Sequence, residues 1–534
     1  MLNKLKQPYF LFFIVVIING IFNAHFQLHY DESYYWVWGQ NLSLSYFDHP
    51  PMIAYMMRLA YFFGSSEFFV RLPALISGLV LLIVMYELAK KMFDAKVANI
   101  TAYLAISWPL LQGVFLVTTP DSPLIMFWGL TLYSFYLAVF EDKKHQFYLS
   151  GFWLGCTLLS KYTGGLIIPG LFLFLLFSNK YRQVLYKKDL YLAVIMAFIV
   201  ASPVFIWNYQ HDWVSFKFQV GHGYDHGRNF RFSSFGDFIS SQLAVSGPFI
   251  SLAMLYYFIK NGKNNIINDK LAFLFWPFIF VFAFFGYSSF YAYSGANWSM
   301  PGFISAFIIL AFYLAKNNNH WIYRSSLILI FIASFMVKMP EFFLPKAIYS
   351  KVSAIDVFYG NRELADIVKS QLSSKDVLLA CDYGNASRLW YYLGNTRRVY
   401  VLPRFSFANS YSYWNNRLDL ANKSAIFVCD KKIWRNNYME LTQYFSINNQ
   451  NRCLAKITYP SQLSYLDALT THYALLNFNN NLALGSEQTI YYLDVCPNNL
   501  DPIDTYFTHV KLLKKAEVNS FFTKTKYFIY RVTN

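Results

Sequence analysis

Charge is what this 534-residue chain lacks: 14% of its residues are Asp, Glu, Lys or Arg, against 56% hydrophobic and 21% aromatic. A soluble domain carries about a quarter of its residues charged, so that class is excluded and an integral membrane protein is expected. Acids are scarcer than bases, 29 against 45, but the resulting charge of +16 follows from lysines and arginines kept in cytoplasmic loops and is no sign of nucleic-acid binding. No glycine-rich phosphate loop and no zinc-ligand spacing occurs in the C-terminal third, and no half of the chain repeats the other. Paired halves and midplane charges mark transporters, so a transporter or lipid flippase fits this sequence less well than an enzyme does.

What is present is a series of apolar windows long enough, or nearly so, to cross about 30 Å of hydrocarbon. They fall at about 8–27, 68–90, 97–118, 121–140, 147–160, 162–178, 189–208, 238–259, 271–291, 299–315 and 321–338. The expected fold class is thus a polytopic α-helical membrane protein of about eleven transmembrane helices, up to thirteen. With Lys4 and Lys6 inside, the basic connections around Lys90, Lys143, Lys180, Lys260 and Lys316 all become cytoplasmic, and Asp31, Glu32, Asp48, Asp121, Asp212 and Asp225 fall on the opposite face. The first segment also has the outline of a secretory signal, but it is longer than a signal core and its small-residue site, Asn23-Ala24, is poor. An odd helix count exports everything after residue 338.

The expected domains are therefore 1–338, transmembrane and catalytic with a first exported loop at 28–67, a linker at 339–352, and an exported α/β domain at 353–534. In the last, strands are expected at 376–381, 398–402, 425–429, 452–459, 489–495 and 525–532, with helices near 361–372, 386–393 and 433–444. Its cysteines, Cys381, Cys429, Cys453 and Cys496, would meet an oxidising compartment, where pairing and simple burial are both open.

The functional signal is concentrated near the N-terminus. Asp31-Glu32 follows the first apolar segment directly, and Tyr46-Phe47-Asp48-His49-Pro50-Pro51 comes soon after. A carboxylate beside hydrocarbon is expensive, so one placed there lines a water-filled cavity or does chemistry. The stretch Asp31-Glu32-Ser33-Tyr34-Tyr35-Trp36, the motif at 46–51, Arg71-Leu72-Pro73-Ala74, Thr119-Pro120-Asp121-Ser122-Pro123, Ser160-Lys161-Tyr162-Thr163-Gly164-Gly165 and Asn208–Phe216 together resemble the bacterial GT-C glycosyltransferases that use polyprenyl-phosphate sugars. That superfamily includes protein O-mannosyltransferases and lipid A aminoarabinose transferases. A weaker likeness to the lipid A branch continues around Trp390-Tyr391-Tyr392-Leu393.

The resemblance implies a single sugar moved with inversion from an undecaprenyl-phosphate-type carrier to an envelope acceptor, lipid A or its core, on the periplasmic face of a bacterial inner membrane. It also implies roles. Asp31 matches the family's essential first-loop acid, with Glu32 as its helper or a structural neighbour, and Asp121 matches the second functional acid or simply caps its helix. The donor phosphate would be held by cations on that face: Lys161 first, then His49, Arg228 and Arg231. In lipid A transferases the motif at 47–51 has a lysine where His49 stands, and an acid that joins a distant histidine on a metal. Asp48 with His222 is the corresponding zinc or other divalent-metal pair here, although the chemistry requires no cofactor. Glu67 and Arg71 are spaced for a structural ion pair, and Trp36, Trp38, Trp207, Trp213 and Trp298 read mainly as interface belts. A protein O-mannosyl or O-antigen acceptor, a flippase, and a nonenzymatic envelope assembly factor are the alternatives.

Overall fold

The computed structural model describes residues 8–223, 230–318, 321, 325, 328, 358, 360–374, 376–380, 382–401 and 409–414, and five further strands of the C-terminal region. The chain divides into two compact units. One comprises Met1–His25 with Gly39–Leu344; the other joins Pro345–Asn534 to the short segment Phe26–Trp38. That last grouping differs from the expected domain plan, in which all of the first loop went with the membrane part.

In the first unit the helices are α1 (Pro8–Asn23), α2 (Tyr30–Gln40, shared with the second unit), α3 (Met52–Tyr61), α4 (Glu67–Met92), α5 (Ala95–Ile106), α6 (Pro109–Leu116), α7 (Asp121–Phe140), α8 (Lys144–Ser160), α9 (Ile167–Phe177), α10 (Lys188–Gln210), α11 (Val214–Gly223), α12 (Phe232–Ser246), α13 (Pro248–Lys260), α14 (Gly262–Ile267), α15 (Asp269–Ser288) and α16 (Met300–Lys316). Each apolar window before residue 320 falls on a helix or a helix pair, and the window at 321–338 lies, apart from residues 321, 325 and 328, outside the described residues. Among the described residues α4, α7, α10 and α15 are long and apolar enough to cross a membrane, and two bent pairs bring the number of spans to as many as six. Both bends have a local cause. Pro109 forces Trp108 into an extended conformation between α5 and α6, turning the chain by 59°, while Gly247, at φ +91°, and Pro248 turn it by 111° between α12 and α13.

Association of apolar helices in hydrocarbon rests on close packing, and small residues supply it. Gly151 and Gly155 of α8 face Ala193 and Ala197 of α10 so closely that an added Cβ would stand 2.2 Å from the Ala193 carbonyl or 2.5 Å from Val200. At the end of the unit where the lysines gather, Lys96 donates to the Ala315 carbonyl (2.8 Å) and to Asn318, and Lys270 donates to the Met92 carbonyl. These side chains satisfy the orphan carbonyls at the ends of α16 and α4 and meet the negative pole of each helix.

In the second unit, α17 (Asn361–Gln371), α18 (Tyr383–Tyr392) and α19 (Tyr411–Trp414) accompany strands β1 (Val377–Ala380), β2 (Val399–Val401), β3 (Ala425–Asp430), β4 (Cys453–Tyr459), β5 (Gln488–Asp494), β6 (His509–Asn519) and β7 (Lys524–Thr533). One sheet has the order β2-β1-β3-β7-β6, with β1 parallel to both neighbours; β4 and β5 form a separate antiparallel pair. The expected strands are present, and β6 is an addition. Its Lys-Leu-Leu-Lys-Lys run does not alternate, because a register shift between Leu512 and Lys514 breaks the period of two. The helix expected at 433–444, and cysteine pairing, lie outside the described residues and side chains.

Candidate active site

Two clusters of ionisable groups stand out, one in each unit. The first is built on the opening turn of α2. His29 is its N-cap, and two backbone donors there are met by side chains: Asp31 N–H donates to His29 Nδ1 (3.2 Å), and His29 N–H donates to Glu32 Oε2 (3.0 Å). The second bond is the return half of a capping box, with the acid at the third helical position. Glu32 is fully buried in this role. Because Nδ1 accepts from a backbone N–H, the imidazole is neutral at that nitrogen, so its 3.7 Å approach to Asp31 Oδ2 is not an ion pair.

Asp31 is thereby free of the capping work and keeps 31% of its side chain open. Tyr383, at the start of α18, donates its hydroxyl to Asp31 Oδ1 at 3.3 Å. Crowding by surrounding protein desolvates the carboxyl and pushes its pKa up to about 6; the Tyr383 bond opposes that rise and the neighbouring Glu32 charge adds to it. Such a group changes protonation just below neutrality, where a proton acceptor is most effective. Sequence reasoning missed Tyr383, which lies 352 residues from Asp31 with no spacing signal to connect them.

The capping contact of Glu32 leads to a direct expectation. Glu32→Gln, whose amide oxygen still accepts the His29 bond, should keep the fold and transfer, whereas Glu32→Ala should cost about 1 kcal/mol of stability. Thermal unfolding of the purified chain beside its activity checks this; an inactive, well-folded Glu32→Gln would give the acid a direct part in the chemistry.

The second cluster lies in the first unit. Asp121 opens α7, and its Oδ1 is 2.8 Å from Lys161 Nζ, which projects from the break after α8. Its Oδ2 accepts from Asn297 Nδ2 at 2.6 Å. The carboxylate and ammonium side chains are 8% and 9% exposed. Lysine and aspartate thus compensate each other in a buried setting, with Asn297 as a further partner of the carboxylate. Asn297 is a further residue that sequence reading did not single out. The bland reading of Asp121 as a side-chain cap is not what is found: the N-cap position is Pro120, and Asp121 spends both oxygens on tertiary partners.

The remaining predicted residues are dispersed. Asp48 and His49 are half-buried on the loop before α3, where α11 docks: Ser215 Oγ donates to the Tyr46 carbonyl (2.8 Å) and Gln219 donates to the Asp48 carbonyl (2.7 Å). Arg231 is exposed, with its backbone N–H on the Phe290 carbonyl. Arg228 and the side chain of His222 lie outside the described residues. Among the described residues no group of three His, Cys, Asp or Glu converges as metal ligands would. Arg71 is fully buried and donates to the Asn23 carbonyl at 2.6 Å, a tertiary bond between α4 and the end of α1. The tryptophan expectation needs correction, since Trp36, Trp38 and Trp207 are buried, and of the five only Trp213 is strongly exposed. Trp36 packs edge-on against Tyr391, ring centres 5.1 Å apart.

The chain is similar to several known proteins. Residues 48–207 match the model of the dolichyl-phosphate-mannose-protein mannosyltransferase family. The chain is 27% identical over 292 residues to the lipid A galacturonosyltransferase RgtD of Rhizobium johnstonii, a match that covers 53% of this chain and 60% of the relative. Among solved structures it is similar to ArnT from Cupriavidus metallidurans in the apo state, with a TM-score of 0.58 and 14% identity over 82% of this chain and 94% of that one. The same protein bound to undecaprenyl phosphate gives a TM-score of 0.57. The chain is a multi-pass membrane protein with the GT-C glycosyltransferase fold.

Proposed function

We propose that the chain is an inverting glycosyltransferase that moves one sugar from a polyprenyl-phosphate carrier to lipid A or its core, on the periplasmic face of the inner membrane. The observation that carries this reading is Asp31: an open carboxylate with a pKa near 6, freed from capping by Glu32 and His29, at the position of the family's first-loop acid. The acceptor class rests on the likeness to a lipid A galacturonosyltransferase, and the donor class on a shared fold with a protein that binds undecaprenyl phosphate.

In this reaction the acceptor oxygen forms a bond to the anomeric carbon as the bond from that carbon to the carrier phosphate breaks. Positive charge develops on the sugar, and the carrier leaves with an extra negative charge. The ionised Asp31 takes the proton of an acceptor hydroxyl or, where the acceptor is an already ionised lipid A phosphate, faces the positive charge that develops on the sugar. Lys161, His49, Arg228 and Arg231 are the proposed contacts for the leaving phosphate, with Asp121 holding Lys161 in place. The Asp48–His222 pair remains the proposed metal ligand set, and no step above depends on it.

Mass spectrometry of lipid A from cells with and without an intact copy of the chain tests the proposal. Loss of one pentose-, hexose-, hexosamine- or hexuronic-acid-sized mass is the expected result. The matched family's description favours a second acceptor, a protein hydroxyl; unchanged lipid A with altered exported glycoproteins would select it.

A further inference from the structure

The C-terminal unit has no stated part in the reaction, yet it holds the residue that touches Asp31. In the sheet, the chain steps from β1 to β2 on one side and then crosses to β3 on the other, so the carboxyl end of β1 is a topological switch point. Open α/β sheets characteristically place their functional groups at that point. Here the turn after β1 carries Asp382, whose carboxylate caps α18 by accepting from Asn385 N–H (2.9 Å), and Tyr383 follows at once.

Three further contacts determine where the Tyr383 ring goes. It lies between Tyr30 and Tyr34, which are one turn apart on α2, with ring centres 6.3 and 4.7 Å away. Gly384 lets α18 approach: an added Cβ would stand 3.0 Å from the Cβ of Tyr30. Around this contact Leu28 N–H donates to the Tyr392 hydroxyl (2.7 Å), Asn361 N–H to Gln27 (2.6 Å) and Ser410 N–H to the Tyr34 hydroxyl (2.8 Å). The first-loop segment is therefore sewn into the C-terminal unit.

We propose that Tyr383 is a positioning residue for Asp31, and that the C-terminal α/β unit takes part in the reaction by presenting the hydroxyl that orients this carboxylate. The inference rests on the reading of Asp31 as the reacting acid. Among the described residues, the titratable groups that face Asp31 are His29, Tyr30 and Glu32 on its own segment and Tyr383 on α18, and the charge of Arg388 on α18 acts on Tyr30. Arg388 is held by Asn361 (2.9 Å) and Asn385 (2.8 Å). Tyr383 is the member of this set with a hydrogen bond to the Asp31 carboxylate.

A water-soluble carbodiimide with an amine trap, applied to the purified full chain across a pH series, labels carboxyls in their protonated form. Mass spectrometry of the peptide bearing Asp31 then reads its titration without any substrate. Wild type should show half-labelling near pH 6, and Tyr383→Phe should move that point upward by about one pH unit, the tenfold change expected for a lost hydrogen bond to a charged group. Gly384→Val, which keeps the hydroxyl but forces α18 away from Tyr30, should move it in the same direction. In cells, Tyr383→Phe should reduce the modified fraction of the envelope acceptor several-fold at normal abundance. A merely structural tyrosine would lower thermal stability and leave the labelling midpoint in place, and that result overturns the proposal. Loss of the proposed transferase function would appear separately, as an unchanged envelope in cells lacking the chain.

Discussion

Asp31→Asn is expected to abolish detectable sugar transfer while leaving the protein folded and at normal membrane abundance. General-base assistance contributes about 10²–10⁴ to a rate, and an amide cannot supply it. The pH dependence follows from the raised pKa. Ionised Asp31 is the competent form, so wild-type activity should rise through about pH 6 and level off above pH 7. Stability runs the other way. A carboxyl whose folded pKa exceeds its unfolded value favours folding at pH below the unfolded value, and that contribution is lost as pH rises through the folded one. At pH 7 the ionised side chain therefore weakens the fold slightly, and Asp31→Asn should unfold at the same temperature as wild type or a higher one. Full activity in this variant removes Asp31 from the mechanism. The pH profile also separates acceptors, because a hydroxyl must lose a proton and should show the acidic limb, whereas an ionised phosphate needs orientation alone and should show a shallower one.

The second large effect is expected at the Asp121–Lys161 pair. Lys161→Met leaves a carboxylate in a site only 8% exposed with Asn297 as its remaining partner, and breaking a buried pair from one side costs about 3–5 kcal/mol. Its unfolding midpoint should fall steeply. The double variant Asp121→Asn with Lys161→Met removes both charges and should regain most of that stability, since the desolvation of two ions is also removed. Transfer should remain lost in the double variant. Wild-type turnover there would show that the pair serves only the fold, whereas a stable and inactive protein would assign the pair to the reaction.

How much of the site was legible depended on whether its determinants are local. Asp31 was legible because an acid next to hydrocarbon is costly and stands out in a chain with so few charges. Asp121 and Lys161 were each legible as charges at the ends of apolar segments, but their pairing across 40 residues was not, because it depends on how α7 and the break after α8 come together. The capping contact of Glu32 could have been read from its standing three residues after His29; the signal was weak because histidine is an uncommon N-cap.

Composition, the periodic spacing of apolar windows and the alternation of lysine-rich connections determined the membrane class, the helix positions up to residue 316 and the end at which the lysines gather. These are properties of single segments in a solvent that penalises every unpaired polar group, so they can be read one segment at a time. Tertiary structure alone decided that Phe26–Trp38 belongs with the C-terminal residues, that Tyr383 reaches Asp31, and that Asn297 and Lys161 share Asp121. Each of those contacts joins residues tens to hundreds of positions apart, and hydrogen-bond geometry at such separations is set by packing that no local pattern records.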